Sequence, residues 1–391
     1  MSAPNPSRAC RPSLRLVSIA TLLALLTGCA AVAPDGGVSG LQELASGKTP
    51  GSAGAAVAIS RPGINTQAAI DELLKTPLSA EAAVRIALLN NPAFQLSLAS
   101  AGISISDAMP AQGLDKLKAR QDITRLAAET RKAWLNAVAA EQTTALRQDA
   151  MEAAQAGDEL ARRLTRVGNW SALQQAREQL LLSDAAAQLA RARQAAFSAR
   201  EKLIVLMGLW GRQIQFELPA RLPELPAQPQ DIPDVEARAL QERQDLRQAV
   251  ATWQRQQATT REFGADGLWD ALRDSARVRE IALKVRSEAR EVYHGYRTAY
   301  DLALSEQRDV LPLHNFINEE MLLRYNGMLA SVFELLSDSR AQTLGHIAAI
   351  EASRDFWLAE ADLQTVLAGA SATSAPSSTA RPAGAAAAAA H

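Results

Sequence analysis

The chain has 391 residues, a formal net charge of −1, 48% apolar residues and only 4% aromatic ones. That balance, with Ala, Leu, Arg, Gln and Glu prominent, favours long helices over sheets. Near-neutral charge without a basic cluster lacks the electrostatic footprint of a nucleic-acid partner, for which a domain pI above about 9 is the usual sign.

Residues 1–28 read as a secretory leader. Arg8, Arg11 and Arg15 precede the apolar run "LVSIATLLALL", which is shorter than the roughly 20 residues of a membrane helix. The run ends in Leu26-Thr27-Gly28-Cys29, which resembles the lipobox of bacterial lipoproteins; the plainer reading is a simple signal peptide with a chance cysteine. The resemblance implies that Cys29 is acylated and becomes the N-terminus. With Ala30 and not Asp after it, it also implies sorting to the outer membrane, on the periplasmic side. Each buried methylene contributes about 0.8 kcal/mol, so several acyl chains would anchor the protein stably. Cys10 leaves with the leader, so the mature chain can form neither a disulfide nor a cysteine metal site.

Residues 29–76 are expected to be a flexible tether, being rich in Gly, Ala, Ser and Pro. Residues 370–391 are expected to be a disordered, low-complexity tail. Between them lie two helical halves, 77–218 and 233–369, divided by a Pro-rich linker at 219–232. The first half opens with "PLSAEAAVRIALLNNPAF". Ser79 is a plausible N-cap there, and Asn91-Pro92 supplies a cap followed by proline at the first helical position. A long helix is expected from about Asp115 to Thr165, roughly 75 Å at 1.5 Å per residue.

The second half repeats the first. Ala239, Leu240 and Leu246 fall 152 positions after Ala87, Leu88 and Phe94. "RQAAFSAREKL" aligns with "SRDFWLAEADL", and "TRKAWLNAVAAEQTTAL" with "AREVYHGYRTAYDLAL", at an offset of about 160, which marks an internal duplication. Heptad-like stripes run through Leu173, Ala176, Leu180, Ser183, Ala187, Ala190 and Phe197, and through Val278, Ile281, Val285, Val292, Ala299 and Leu302. Many of these positions are small, so each seam buries little area and oligomerisation is expected.

The lipobox, "LSAEAAVRIALLNNPAF", the duplication, "LLRYNGMLASVFELLSDSRAQ" and "RDFWLAEADLQTVL" together resemble the outer-membrane efflux proteins typified by TolC. The resemblance covers roughly residues 78–367. It implies an all-α body of long antiparallel, coiled-coil-like helices in two repeats, forming part of a homotrimeric helical barrel. It implies a passive conduit for exported small molecules or ions, working with a periplasmic adaptor and an inner-membrane pump. The competing reading is a non-conducting periplasmic lipoprotein serving as a structural or adaptor-binding module. In the family, each repeat inserts two membrane strands between its long helices. Here the corresponding stretches, "GISISDAMPAQGLDKL" and "TTREFGADGLWDAL", leave no room for two strands of about 9 to 11 residues each, so no or minimal β-barrel is expected.

The resemblance also assigns residues. A Tyr-x-x-Gly signature closes the family's tunnel end, and Tyr325 matches its tyrosine while Met328 stands in the glycine's slot, with Gly327 one place early. Glu334 then falls at an acidic ring position, and Ser337, beside Asp338, at a second. Tyr325, Glu334 and Asp338 are therefore constriction candidates; a solvated helix face is the plainer reading. The turns "VGNWSAL" and "RYNGMLA" make Gly168, Asn169, Trp170, Asn326, Gly327 and Met328 candidates for adaptor contact, against ordinary glycine helix breaks. The four histidines are scattered in sequence, so no metal site is expected. No nucleophile elbow, P-loop or dinucleotide fingerprint is present, so neither enzyme activity nor a cofactor is expected.

Overall fold

A computed structural model of the chain describes residues 66–100, 113–263 and 265–372. The leader, Cys29 and most of the expected tether and tail lie outside the described residues. The first short helices are α1 (Thr66–Leu73), α2 (Ala80–Asn90) and α3 (Pro92–Ser100). Two long helices follow, α4 (Gly113–Arg166) and α5 (Ala172–Met207). The second half repeats the order with α6 (Val235–Glu242), α7 (Gln244–Phe263), α8 (Ala265–Ser305), α9 (Leu311–Asn326) and α10 (Val332–Leu367). No strand occurs among the described residues. In the second half only residue 264 separates α7 from α8, so helix occupies the interval where a strand pair was considered.

Local chemistry explains the boundaries. The Ser79 hydroxyl accepts from the Ala82 amide at the start of α2, and Asn91 Oδ1 accepts from Phe94 N at 2.8 Å to start α3, both as side-chain N-caps do. Between α8 and α9 the chain stays helical but widens into a π-turn at Glu306–Val310, where Leu311 N reaches back to Glu306 O. Pro312 follows directly and would remove a donor and collide with a carbonyl in a regular α-turn; the wider turn accommodates it.

The two C-terminal returns are built alike. Both α5 and α10 end in glycines with left-handed backbone, Gly208 (φ 65°) and Gly369 (φ 86°). Each presses against the end of the equivalent short helix: a Cβ at Gly208 would lie 2.6 Å from Asn90 O, and at Gly369 2.1 Å from Glu242 O. Asn90 and Glu242 are themselves 152 positions apart, so the duplication extends to backbone packing.

Large apolar side chains are buried around these returns. Ile70, Leu78, Ile86, Trp134, Leu203, Met207 and Phe216 form one core. Val84, Phe94, Leu98 and Ile123 form a second, and Ile232, Val285, Tyr296, Tyr300, Phe356 and Leu363 a third. Away from the cores, α4 packs between α5 and α10, and α10 in turn packs on α8 and α9. This half of the molecule is held by small residues such as Ala154, Ala161 and Gly345, and α9 has no buried residue at all.

Three details differ from the sequence reading. Part of the expected tether is α1, because Ile70 inserts fully into the first core with Leu73 and Leu74 packed beside it. The Pro-rich segment is a pinned strap and not a free spacer. Its Pro223 carbonyl accepts from Trp357 Nε1 at 3.0 Å, its Pro226 and Ala227 carbonyls accept from the Tyr300 hydroxyl, and Leu222 N donates to Gln142. The first three residues of the expected tail, 370–372, are held to the body, since Ala370 is buried and Ser371 Oγ and Ala372 N donate to Glu288.

Candidate functional site: hairpin tips and lateral edges

The α4–α5 and α9–α10 hairpins end in turns of one design. In the first, Gly168 N donates to Thr165 O and Asn169 N to Leu164 O. In the second, Met328 N donates to Tyr325 O and Leu329 N to Arg324 O. Both patterns are Schellman closures, which need a left-handed residue after the helix. Gly168 supplies it in the first tip (φ 80°) and Met328 in the second (φ 59°). The sequence mismatch at Met328 is thus a glycine slot filled by an L-residue, at roughly 1–2 kcal/mol of backbone strain.

Each returning helix opens with a capping box, Ser171 with Gln174 and Ser331 with Glu334. Glu334 Oε2 accepts from Ser331 N at 2.7 Å, and Glu334 N donates to the Ser331 hydroxyl. The backbone amide of Ser331, and then its hydroxyl, hold the Glu334 carboxyl below the ordinary carboxylate value. Glu334 is therefore charged at neutral pH and exposed, but one of its oxygens serves the helix start. Asp338 lies one turn further along α10 and is half-buried. Tyr325 is exposed near the end of α9.

The two tips are joined to each other. Trp170 stacks on Phe333 with ring centroids 3.9 Å apart and 27° between planes. Trp170 thereby fastens the hairpins together, leaving other side chains as the projecting apolar surface: Val167, Leu323, Met328 (93% exposed) and Leu329 (82% exposed). Leu329 and Val167 were not singled out from the sequence, and the stack with Phe333 was missed because it joins residues from different repeats. Asn169, Asn326 and Gly327 are exposed in the turns beside this surface. Close to the tips, Gly157 lets three helices converge. Its missing side chain leaves room for Leu336 of α10, and Arg340 of α10 pairs with Glu178 of α5 at 3.0 Å across it.

The four long helices form a layer with two open edges. On α5, the stripe expected to be buried points outward: Leu173 is 64%, Leu180 70% and Phe197 60% exposed. The less exposed positions of α5, which packs on α4, instead include Leu182, Ala185, Leu189, Ala192 and Leu203. On α8, the core takes Val285, Ala289, Tyr296, Tyr300 and Ala303, with Ile281, Val292 and Ala299 of the expected stripe packed at its margin and Leu302 left exposed. The α8–α9 edge exposes Leu283, Leu313, Phe316, Ile317 and Leu323 in addition. The layer thus exposes two different apolar edges, α5 on one side and α8–α9 on the other.

His314 and His346, distant in sequence, come together between α9 and α10. The His314 ring fills the space over Gly345, and burial, then the nearby His314, lowers the His346 pKa. No group of three or more metal-ligating residues occurs among the described residues, and no helix among them is long and apolar enough to cross a membrane.

No protein-family model and no curated protein sequence matches the chain. Solved structures do match its shape. The outer membrane protein VceC from Vibrio cholerae superposes with a TM-score of 0.53 over 85% of this chain and 96% of its own, at 10% identity. The outer-membrane channel OprN gives 0.53 over 74% and 72%, at 15% identity. CusC, solved in a study of conformational changes accompanying folding and transmembrane channel formation, gives 0.53 over 78% and 96%, at 14% identity. The helical fold is that of these outer-membrane channels. The all-α, TolC-like body expected from the sequence is therefore the one observed, without strands among the described residues.

Proposed function

We propose that this chain is a lipid-anchored, TolC-like component of a tripartite export system, held at the periplasmic face of the outer membrane through acylated Cys29. It associates as a homotrimer whose helical layers close into a tunnel. The tips dock a periplasmic adaptor, which couples the tunnel to an inner-membrane pump. The conduit is passive, so its chemistry is pore shape and charge, with Tyr325, Glu334 and Asp338 as the constriction candidates. Val167, Met328 and Leu329 join Gly168, Asn169, Asn326 and Gly327 as the adaptor-contact surface, while Trp170 braces it from within.

The observation that carries this reading is the pair of unlike apolar edges, α5 on one side and α8–α9 on the other. Head-to-tail pairing of such edges closes into a ring when the rotation permits. Light scattering of the detergent-extracted protein tests it: a trimer is expected, and Leu180→Glu with Leu313→Glu should give monomers. A monomeric parent protein at micromolar concentration overturns the reading.

A second reading is favoured by the single residue between α7 and α8 and by the absence of a membrane-crossing helix among the described residues. In it the trimer binds its adaptor but conducts nothing. Planar-bilayer recordings separate the two, because steady unitary currents belong only to the first.

A further inference from the structure

The long helices give the molecule two poles. Counting from the tips at 1.5 Å per residue, α4 extends about 80 Å, whereas α5 returns only about 54 Å. The far pole is made by the start of α4 and the joint between α7 and α8. There the first turns of α8 expose Leu268, Trp269 and Leu272 at 54%, 70% and 49% of their surface. None of the three belongs to an apolar core. Trp269 lies about 85 Å from the tips, beyond the reach of a neighbour's α5, so edge pairing through that helix leaves it uncovered.

The side chains behind this apolar cap are ordered by polarity. Leu268 to Leu272 spans about 6 Å along the axis, within the roughly 5–10 Å to which apolar side chains enter a bilayer interface. One to three turns further back, Arg273, Arg277 and Lys284 line a common groove. Arg273 is bridged to Asp270 and Lys284 to Glu280, while Arg277 forms no ion pair among the described residues. Asp274 lines the groove against α7, which Arg277 also borders. Trp and Leu ahead of Arg is the order of a membrane interface, in which ring and acyl boundary lie below the phosphates.

The chain length agrees. The first described helix, α1, packs at the level of Trp134, about 32 Å from the start of α4. Roughly 36 residues separate Cys29 from Thr66, enough chain to cover that distance. The far pole is nearer to α1 than the tips are, about 32 Å against about 48 Å along α4, so an anchor at Cys29 favours the far pole.

We infer that the far pole seats directly on a phospholipid bilayer, with Leu268, Trp269 and Leu272 entering the headgroup region and Arg273 and Arg277 meeting lipid phosphates. The inference rests on the membrane-anchored reading above but makes a separate claim, because it needs no acyl chain. The test uses the full chain as Cys29→Ser with vesicles of phosphatidylcholine, with and without 30% phosphatidylglycerol. The protein is expected to float with both, more tightly with the anionic lipid. Leu268→Ser with Trp269→Ser and Leu272→Ser should weaken binding at least about tenfold, with an unchanged helical circular-dichroism signal because all three are exposed. Arg277→Glu should abolish the preference for phosphatidylglycerol. Failure of the Cys29→Ser protein to float, or equal flotation of the triple-serine variant, overturns the inference. A triple-serine variant that changes only self-association marks the pole as a contact between copies and also overturns it. If the acylatable protein is absent from membranes while Cys29→Ser still floats, the anchor reading fails and the interfacial one stands.

Discussion

Three glycines with left-handed backbone separate conformational strain from steric collision. Alanine at Gly168 (φ 80°) meets nothing within 4 Å, so only strain acts, roughly 1–2 kcal/mol. At Gly208 the same strain is joined by a Cβ 2.6 Å from Asn90 O, a carbonyl at the end of α2. Relief pushes α5 away from α2 and weakens the bonds from Asn90 Nδ2 to the Met207 and Gly208 carbonyls. With about 1 kcal/mol per hydrogen bond, the total is roughly 2–4 kcal/mol. At Gly369 the Cβ would sit 2.1 Å from Glu242 O, so α6 must retreat by nearly 1 Å or more. The closure bonds from Gly369 N to Val366 O and from Ala370 N to Thr365 O then suffer together with that from Gln244 N to Gly369 O. Roughly 3–5 kcal/mol is expected there. Urea denaturation followed by circular dichroism, with all three variants at one protein concentration, should rank Gly369→Ala worst, Gly208→Ala next and Gly168→Ala mildest. A Gly369→Ala loss within about 0.5 kcal/mol of the Gly168→Ala loss refutes the packing argument, because strain alone would then suffice.

Other outcomes follow from the same geometry. Met328→Gly relieves left-handed strain at a position that buries nothing, so the second tip should gain roughly 0.5–1 kcal/mol after the unfolded-state entropy of glycine is counted; hydrogen exchange at Met328 and Leu329 should slow, and adaptor capture should weaken as the projecting side chain is lost. Trp170→Ala removes the stack on Phe333, worth about 0.5–1.5 kcal/mol beyond the buried area, so exchange should quicken in both tips; protection lost in the first tip alone contradicts a brace between them. Glu360 is half-buried and 3.5 Å from Arg131, and desolvation raises its pKa above the ordinary 4.5 despite that cation. The charged form is thus penalised in the folded state, so its destabilisation is full above the raised value and fades as pH falls toward 4.5. Glu360→Gln should therefore be more stable than the parent at pH 7, with the difference shrinking on acidification; a difference independent of pH between 7 and 4.5 counts against the assignment.

Much of this fold is legible in the sequence because it is set by local chemistry. Ser79, Asn91 and the 54-residue α4 follow from caps and from uninterrupted helical pattern. The duplication was readable because both repeats keep the same order of short helix, long helix and return. What was not readable depends on contacts distant in the chain. The stripe through Leu173, Leu180 and Phe197 has the period of a buried seam, and periodicity cannot tell a seam closed within one chain from one left exposed on it. The strap at residues 219–232 looks like a spacer because proline lacks donors; its order comes from Trp357 and Tyr300, which donate to its carbonyls.

Glu334 shows how a residue can serve structure and function at one position. The family resemblance assigns it to a charged ring, and the geometry makes it the third residue of a capping box. The first repeat does the same capping with neutral Gln174, so the cap itself does not require a charge. The two roles separate under substitution. Glu334→Gln keeps a side chain able to accept from Ser331 N and should leave the tip's exchange protection intact, as Gln174 does in the first tip. In the conduit proposed above, any change in cation selectivity would then belong to the lost charge. Glu334→Ala, by contrast, removes both, and the tip should lose about 0.5–2 kcal/mol of local stability. If Glu334→Gln loosens the tip as much as Glu334→Ala, the charge is needed for the fold near the positive end of α10, and the acidic residue carries no separate argument for a ring.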